Sequence, residues 1–127
     1  MLLKNKTILV IDDTPSIRAF LRISLASEQA VLHESATGHD GLDKARIIQP
    51  DIIILDLGLP DIDGLDLLPM LKEACPPQTI IFILSVRRDY PMMEKAHALG
   101  ANGYMAKPFV PFDLIEKLGS FYAAPAA

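Results

Sequence analysis

With 127 residues, half of them apolar and 22% charged, the chain fits a single domain able to bury a core. A net charge of −4 argues against nucleic acid as a direct partner. One cysteine, Cys75, rules out an intrachain disulfide and suits a reducing cytosol, while no apolar run reaches the roughly 18 residues of a membrane-crossing helix. Met1-Leu2-Leu3-Lys4-Asn5-Lys6 is too short and too polar for a signal sequence. A cytoplasmic protein with no membrane partner is expected.

Short apolar runs alternate with stretches of helical period, which predicts repeated βα units around a parallel sheet. The first strand is expected from Thr7 to Ile11, apolar on both faces as a central strand is. A helix from Thr14 to Gln29 follows, with Thr14 as N-cap, Pro15 at the first helical position, and Ile17, Phe20, Leu21 and Leu25 on one stripe. The second strand, Ala30 to Glu34, is less apolar and suits a place near the sheet edge. The second helix starts near Thr37, turns Leu42, Ala45 and Ile48 to one face, and ends before Pro50. The third strand is Ile52 to Leu55. A third helix starts near Gly64 with Leu65, Leu68 and Leu71, and Pro76-Pro77 breaks the chain. The fourth strand, Thr79 to Leu84, leads to a helix from Pro91 to Leu99 that ends at Gly100 as C′ residue. A short fifth strand, Tyr104 to Ala106, precedes a last helix from Phe112 to Tyr122. Residues 1–122 form the domain, and 123–127 are a tail or the start of a linker. The architecture is an open α/β sandwich of five strands and five helices, and its ligand crevice lies beyond the carboxyl ends of the strands.

Five residues stand at that edge. Asp12 and Asp13 follow the first strand, Asp56 the third and Lys107 the fifth; Ser85 closes the fourth. Two carboxylates 4 Å apart repel by roughly 4 kcal/mol at an effective dielectric near 20, so three ionised ones call for a cation. Mg²⁺ prefers such oxygens and bridges to phosphate. The chemistry this set supports is phosphoryl transfer onto a carboxylate: Asp56 as nucleophile, Asp13 with Asp12 on the metal, and Lys107 and Ser85 on the oxygens that gather charge.

Over about residues 5 to 122 the chain resembles a receiver domain of the two-component response-regulator family. The matching pieces are Ile8-Leu9-Val10-Ile11-Asp12-Asp13, Asp51-Ile52-Ile53-Ile54-Leu55-Asp56-Leu57, Pro60-Asp61-Ile62-Asp63-Gly64, Ile83-Leu84-Ser85, Gly100-Ala101, and Tyr104-Met105-Ala106-Lys107-Pro108-Phe109. Each piece is weak alone; in order and at this spacing they are strong. The resemblance implies a flavodoxin-like doubly wound sheet with strand order 2-1-3-4-5 and a cis Lys107-Pro108 bond. It implies a phosphorylation-controlled signalling switch rather than an enzyme acting on an external substrate. Asp56 would be phosphorylated by a histidine kinase, a phosphotransfer protein or a small phosphodonor. The Gly58 carbonyl would join Asp12, Asp13 and Asp56 on Mg²⁺. Ser85 and Tyr104 would be switch residues that alter partner binding at the face of the fourth helix, fifth strand and fifth helix. An output domain, a downstream protein or a phosphorylation-dependent homodimer would read that face. Val86 departs from the alanine or glycine common in the family, which implies slow loss of phosphate to water. Arg87 either reaches over the site or stands in solvent.

Other readings remain open from residues alone. Asp12-Asp13 can be helix-capping acids, Asp56 a turn aspartate, Lys107 a solvated lysine and Tyr104 a strand aromatic. Asp61 and Asp63 read as loop and capping residues, His33, His39 and His97 as surface groups, and Cys75 as structural. Two other functions compete: a Mg²⁺-dependent phosphohydrolase of the haloacid dehalogenase type, disfavoured because the acids after the first strand are adjacent rather than D-x-D, and a pseudo-receiver binding module that works without phosphate.

Overall fold

The computed structural model describes residues 1–87 and 89–123; all of the expected tail except Ala123 lies outside the described residues. The elements run β1 (Thr7–Ile11), α1 (Pro15–Ala26), β2 (Val31–Ser35), α2 (Gly38–Ile48), β3 (Ile52–Leu55), α3 (Gly64–Ala74), β4 (Ile80–Ser85), α4 (Tyr90–Ala98), β5 (Gly103–Ala106) and α5 (Pro111–Ser120). The strands pair in parallel in the order β2-β1-β3-β4-β5, the order that the resemblance implied.

The uninterrupted apolar runs explain the sheet. Successive side chains of a strand point to opposite faces, so a strand covered on both sides must be apolar at every position. Leu9, Ile11, Ile53, Leu55, Ile81 and Ile83 pack with Leu42 and Ala45 of α2, with Leu67, Leu68 and Leu71 of α3, and with Ala96 of α4. The alternate residues Ile8, Val10, Ile52, Ile54, Phe82 and Leu84 pack with Leu21 and Leu25 of α1 and Leu114 and Leu118 of α5. β2 is an edge strand with an exposed Val31, as its weaker apolar character predicts.

Several ends differ from expectation. α1 stops at Ala26 rather than Gln29, because Gln29 takes a left-handed φ of 58° that a helix cannot contain. β2 therefore starts at Val31, not Ala30. β4 runs on to Ser85, whose carbonyl accepts from Lys107 N–H at 2.8 Å and so keeps the ladder going. α4 starts at Tyr90 on an Asp89 cap, and α5 spans Pro111–Ser120 rather than Phe112 to Tyr122. β5 begins at Gly103, where a Cβ would lie 2.6 Å from the Phe82 ring. Gly100 is the expected C′ residue, with φ +108°. Thr14 holds the N-cap place of α1, but its side chain makes no capping bond. Its N–H instead donates to Asp12 Oδ1 at 2.9 Å. The Lys107-Pro108 bond is cis.

Candidate functional site

The strand register assembles the site. Ser35, Ile11, Leu55, Ile83 and Tyr104 stand abreast in neighbouring strands. One residue further along, Asp12 N–H donates to Ser35 O at 3.0 Å and Asp56 N–H to Ile11 O at 2.9 Å. These ladder bonds hold the two aspartates side by side just past the last row that pairs β1 with β2 and β3. Ligand oxygens of Asp12, Asp13 and Asp56 lie within 4.8 Å of one another. Hard carboxylate oxygens at that spacing fit a hard divalent cation, and a Mg²⁺ ion is compatible with the donor set.

Lys107 offsets part of this negative charge. Its Nζ is 2.7 Å from Asp12 Oδ2 and 3.8 Å from Asp56 Oδ1. Asp12, Asp56 and Lys107 are all buried, while Asp13 is exposed. Burial pushes the Asp56 carboxyl above the ordinary value, and Asp12 and Asp13 push the same way, while Lys107 and the Gly58 backbone N–H oppose them.

The remaining predicted residues surround this cluster. Ser85 is buried at the end of β4 and its Oγ accepts from Arg87 N–H at 3.2 Å. Tyr104, half-buried on β5, donates its hydroxyl to the Arg87 carbonyl at 2.7 Å; burial raises its phenol, and a hydrogen bond with the Ser85 side chain counters this. Arg87 thus holds both side chains through its backbone. Its guanidinium turns to Asp63, 3.8 Å away, and to Met92 Sδ at 3.7 Å. Val86 is 71% exposed. Gly58 sits in the loop after β3 and pairs as an isolated bridge with Asp63.

A family profile described as "Response regulator receiver domain" matches residues 8–119. The chain belongs to this family. Similar relatives include the nitrate/nitrite response regulator protein NarL of Escherichia coli, 36% identical over 114 residues, covering 88% of this chain and 52% of that protein. The transcriptional regulatory protein KdpE of Mycobacterium tuberculosis is 38% identical over 111 residues, covering 87% and 48%. Among solved structures, Vibrio cholerae chemotaxis protein CheY4 superposes with a TM-score of 0.85 at 27% identity, covering 92% of this chain and 98% of that one. The chain therefore spans about half the length of the curated relatives it matches. No helix among the described residues is long and apolar enough to cross a membrane.

The receiver domain also uses residues outside the acidic cluster. Asp63 caps α3 by accepting from Leu65 N–H at 2.9 Å, as its type suggests. Asp61 does something less obvious: Oδ1 accepts from Gly38 N–H at 2.8 Å and Oδ2 from His39 N–H at 2.9 Å. It caps α2 from the loop that carries Gly58, and these bonds lower its carboxyl. His33 is half-buried on β2, whereas His39 and His97 are exposed. Cys75 is buried at the end of α3, where burial raises the thiol, in keeping with a structural role. Gly64 explains the glycine of the Asp63-Gly64 pair. A Cβ there would lie 2.6 Å from Leu57 Cα and 2.8 Å from the Asp56 carbonyl, so α3 starts directly against the backbone that presents Asp56. The signal for this was only the position of a glycine at a helix start.

Proposed function

We propose that this receiver domain is a phosphorylation-controlled switch whose acceptor is Asp56. The carrying observation is the convergence of Asp12, Asp13 and Asp56 within 4.8 Å, with the Lys107 ammonium on Asp12 and Asp56. An Asp56 oxygen attacks the phosphorus of a phosphohistidine or small phosphodonor. The bond from phosphorus to the donor breaks, and its electron pair leaves with the donor. Lys107 and the Ser85 hydroxyl take phosphoryl oxygens in this reading. Asp12, Asp13, Asp56 and the Gly58 carbonyl would hold Mg²⁺, which when bound offsets the negative charge of the phosphoryl group.

The output follows from Arg87. If Ser85 turns to the phosphoryl group, it gives up the Arg87 N–H, and the Tyr104 hydroxyl loses the neighbour that shares Arg87 with it. The face of α4, β5 and α5 then changes. A histidine kinase or phosphotransfer protein would supply the phosphate, and an output domain, a downstream protein or a second copy would read that face. The setting is the cytosol, and no external substrate is turned over. Val86, next to Ser85, slows loss of phosphate; a Val86→Ala variant should lose it faster.

Incubation with Mg²⁺ and acetyl phosphate should add one phosphoryl group per chain by mass spectrometry, and Asp56→Asn should add none. Catalytic turnover of a generic phosphomonoester would favour the phosphohydrolase instead. Absence of both the adduct and any spectral response to beryllium fluoride would favour a pseudo-receiver.

A further inference from the structure

The backbone of the acidic pair is gripped from outside the site. Arg18 on α1 donates from Nη1 to the Asp12 carbonyl at 2.8 Å. That carbonyl belongs to the peptide joining Asp12 to Asp13. The Arg18 Nε lies 3.5 Å from Glu34 Oε1 on β2. Glu34 is itself fixed: Arg22 donates to it from Nε at 2.7 Å and from Nη2 at 2.9 Å, a two-point fork of the kind that sets geometry as well as charge. Lys44 adds a bond to the Glu34 carbonyl at 2.5 Å.

Every polar group of Asp12 is consequently occupied. Its N–H goes to Ser35 O, its carbonyl to Arg18, Oδ1 to Thr14 N–H and Oδ2 to Lys107. Asp13, one residue on, is exposed, so its carboxylate is aimed mainly by the peptide before it. Of the bonds to that peptide's two ends, the one from Arg18 is the side-chain bond that reaches the Asp12–Asp13 link itself. An arginine fork loses little freedom per bond it forms, which suits it to hold a carbonyl in place.

We infer that Arg18, braced by Glu34, is a positioning residue that sets the Asp13 carboxylate toward the cation site. The inference rests on the reading that this cluster holds Mg²⁺. Partners of this outer kind typically carry on the order of tenfold or more in metal affinity.

The test is Mg²⁺ binding to the whole chain, followed by calorimetry and by the Asp13 amide resonance, alongside the Mg²⁺ dependence of Asp56 phosphorylation by acetyl phosphate. Arg18→Met should raise the Mg²⁺ half-saturation on the order of tenfold and leave the rate at saturating Mg²⁺ nearly unchanged. Arg18→Lys, which keeps one donor for the carbonyl, should recover part of the affinity. Glu34→Gln should shift half-saturation in the same direction by less, and covers the case in which Arg18→Met does not fold. Unchanged half-saturation in Arg18→Met or, if that variant is unfolded, in Glu34→Gln overturns the inference alone. So does a lowered melting temperature without an affinity change. A parent chain that ignores Mg²⁺ in both readouts overturns the reading of the cluster and the inference with it.

Discussion

Lys107 donates to Asp12 at 2.7 Å with both side chains nine-tenths or more buried, so each charge is the other's main compensation for leaving water. Removing one partner of such a pair leaves the other buried and unpaired, at a cost of about 3–5 kcal/mol. Lys107→Met should therefore lower the unfolding free energy by about that amount in chelator, measured by urea denaturation. A loss under about 1 kcal/mol would place the pair among weak exposed bridges.

Asp56 carries the opposite sign. Burial, Asp12 and Asp13 raise its carboxyl above the unfolded value near 3.8. Above both values the folded state holds a charge it disfavours, so Asp56 costs stability at neutral pH. As pH falls through the raised value the folded chain takes up the proton first, and the cost shrinks until it is gone below the unfolded value. In chelator, Asp56→Asn should melt higher than the parent at pH 7, with the gap closing toward pH 4. A gap that widens on acidification would reverse the sign.

Gly64→Ala should disturb Asp56, the proposed acceptor, from behind. The added carbon would press on Leu57 Cα and the Asp56 carbonyl, both backbone, which cannot rotate away as a side chain can. Overpacking of this kind costs about 1–3 kcal/mol. The unfolding free energy and the rate of Asp56 phosphorylation should both fall from the parent values; an unaltered rate would separate the α3 start from the proposed acceptor.

Asp61 ties the loop after β3 to the N-terminus of α2. In Asp61→Ala the Gly38 and His39 amides should exchange with solvent faster, while the Leu65 amide, capped by Asp63, keeps its rate. Because the folded carboxyl of Asp61 is lowered, its support is present above the unfolded value and fades as pH falls through the folded one. The difference in exchange between parent and variant should therefore shrink in acid.

How far the sequence could be read follows from the range of each interaction. β1 and β3 can be bounded from sequence because their apolar runs, Ile8–Ile11 and Ile52–Leu55, stop at aspartates. The acidic cluster and Lys107 were legible for the same reason, since parallel strands deliver their ends to one edge. Helix ends set by local backbone conformation, as at Gln29, left no mark in residue type. Thr14 shows the limit of capping rules: it has the right residue at the right place, but its N–H is drawn to Asp12 and its hydroxyl caps nothing. Asp61 and Arg18 act across 23 and 6 positions onto backbone atoms, and no spacing pattern encodes a backbone target.

The ion pair joins positions separated by 95 along the chain. During synthesis the acids emerge early and lack their counter-charge until β5 has left the ribosome. A nascent or truncated chain ending before Lys107 lacks that counter-charge, so the Asp12 carboxylate keeps its water until β5 docks.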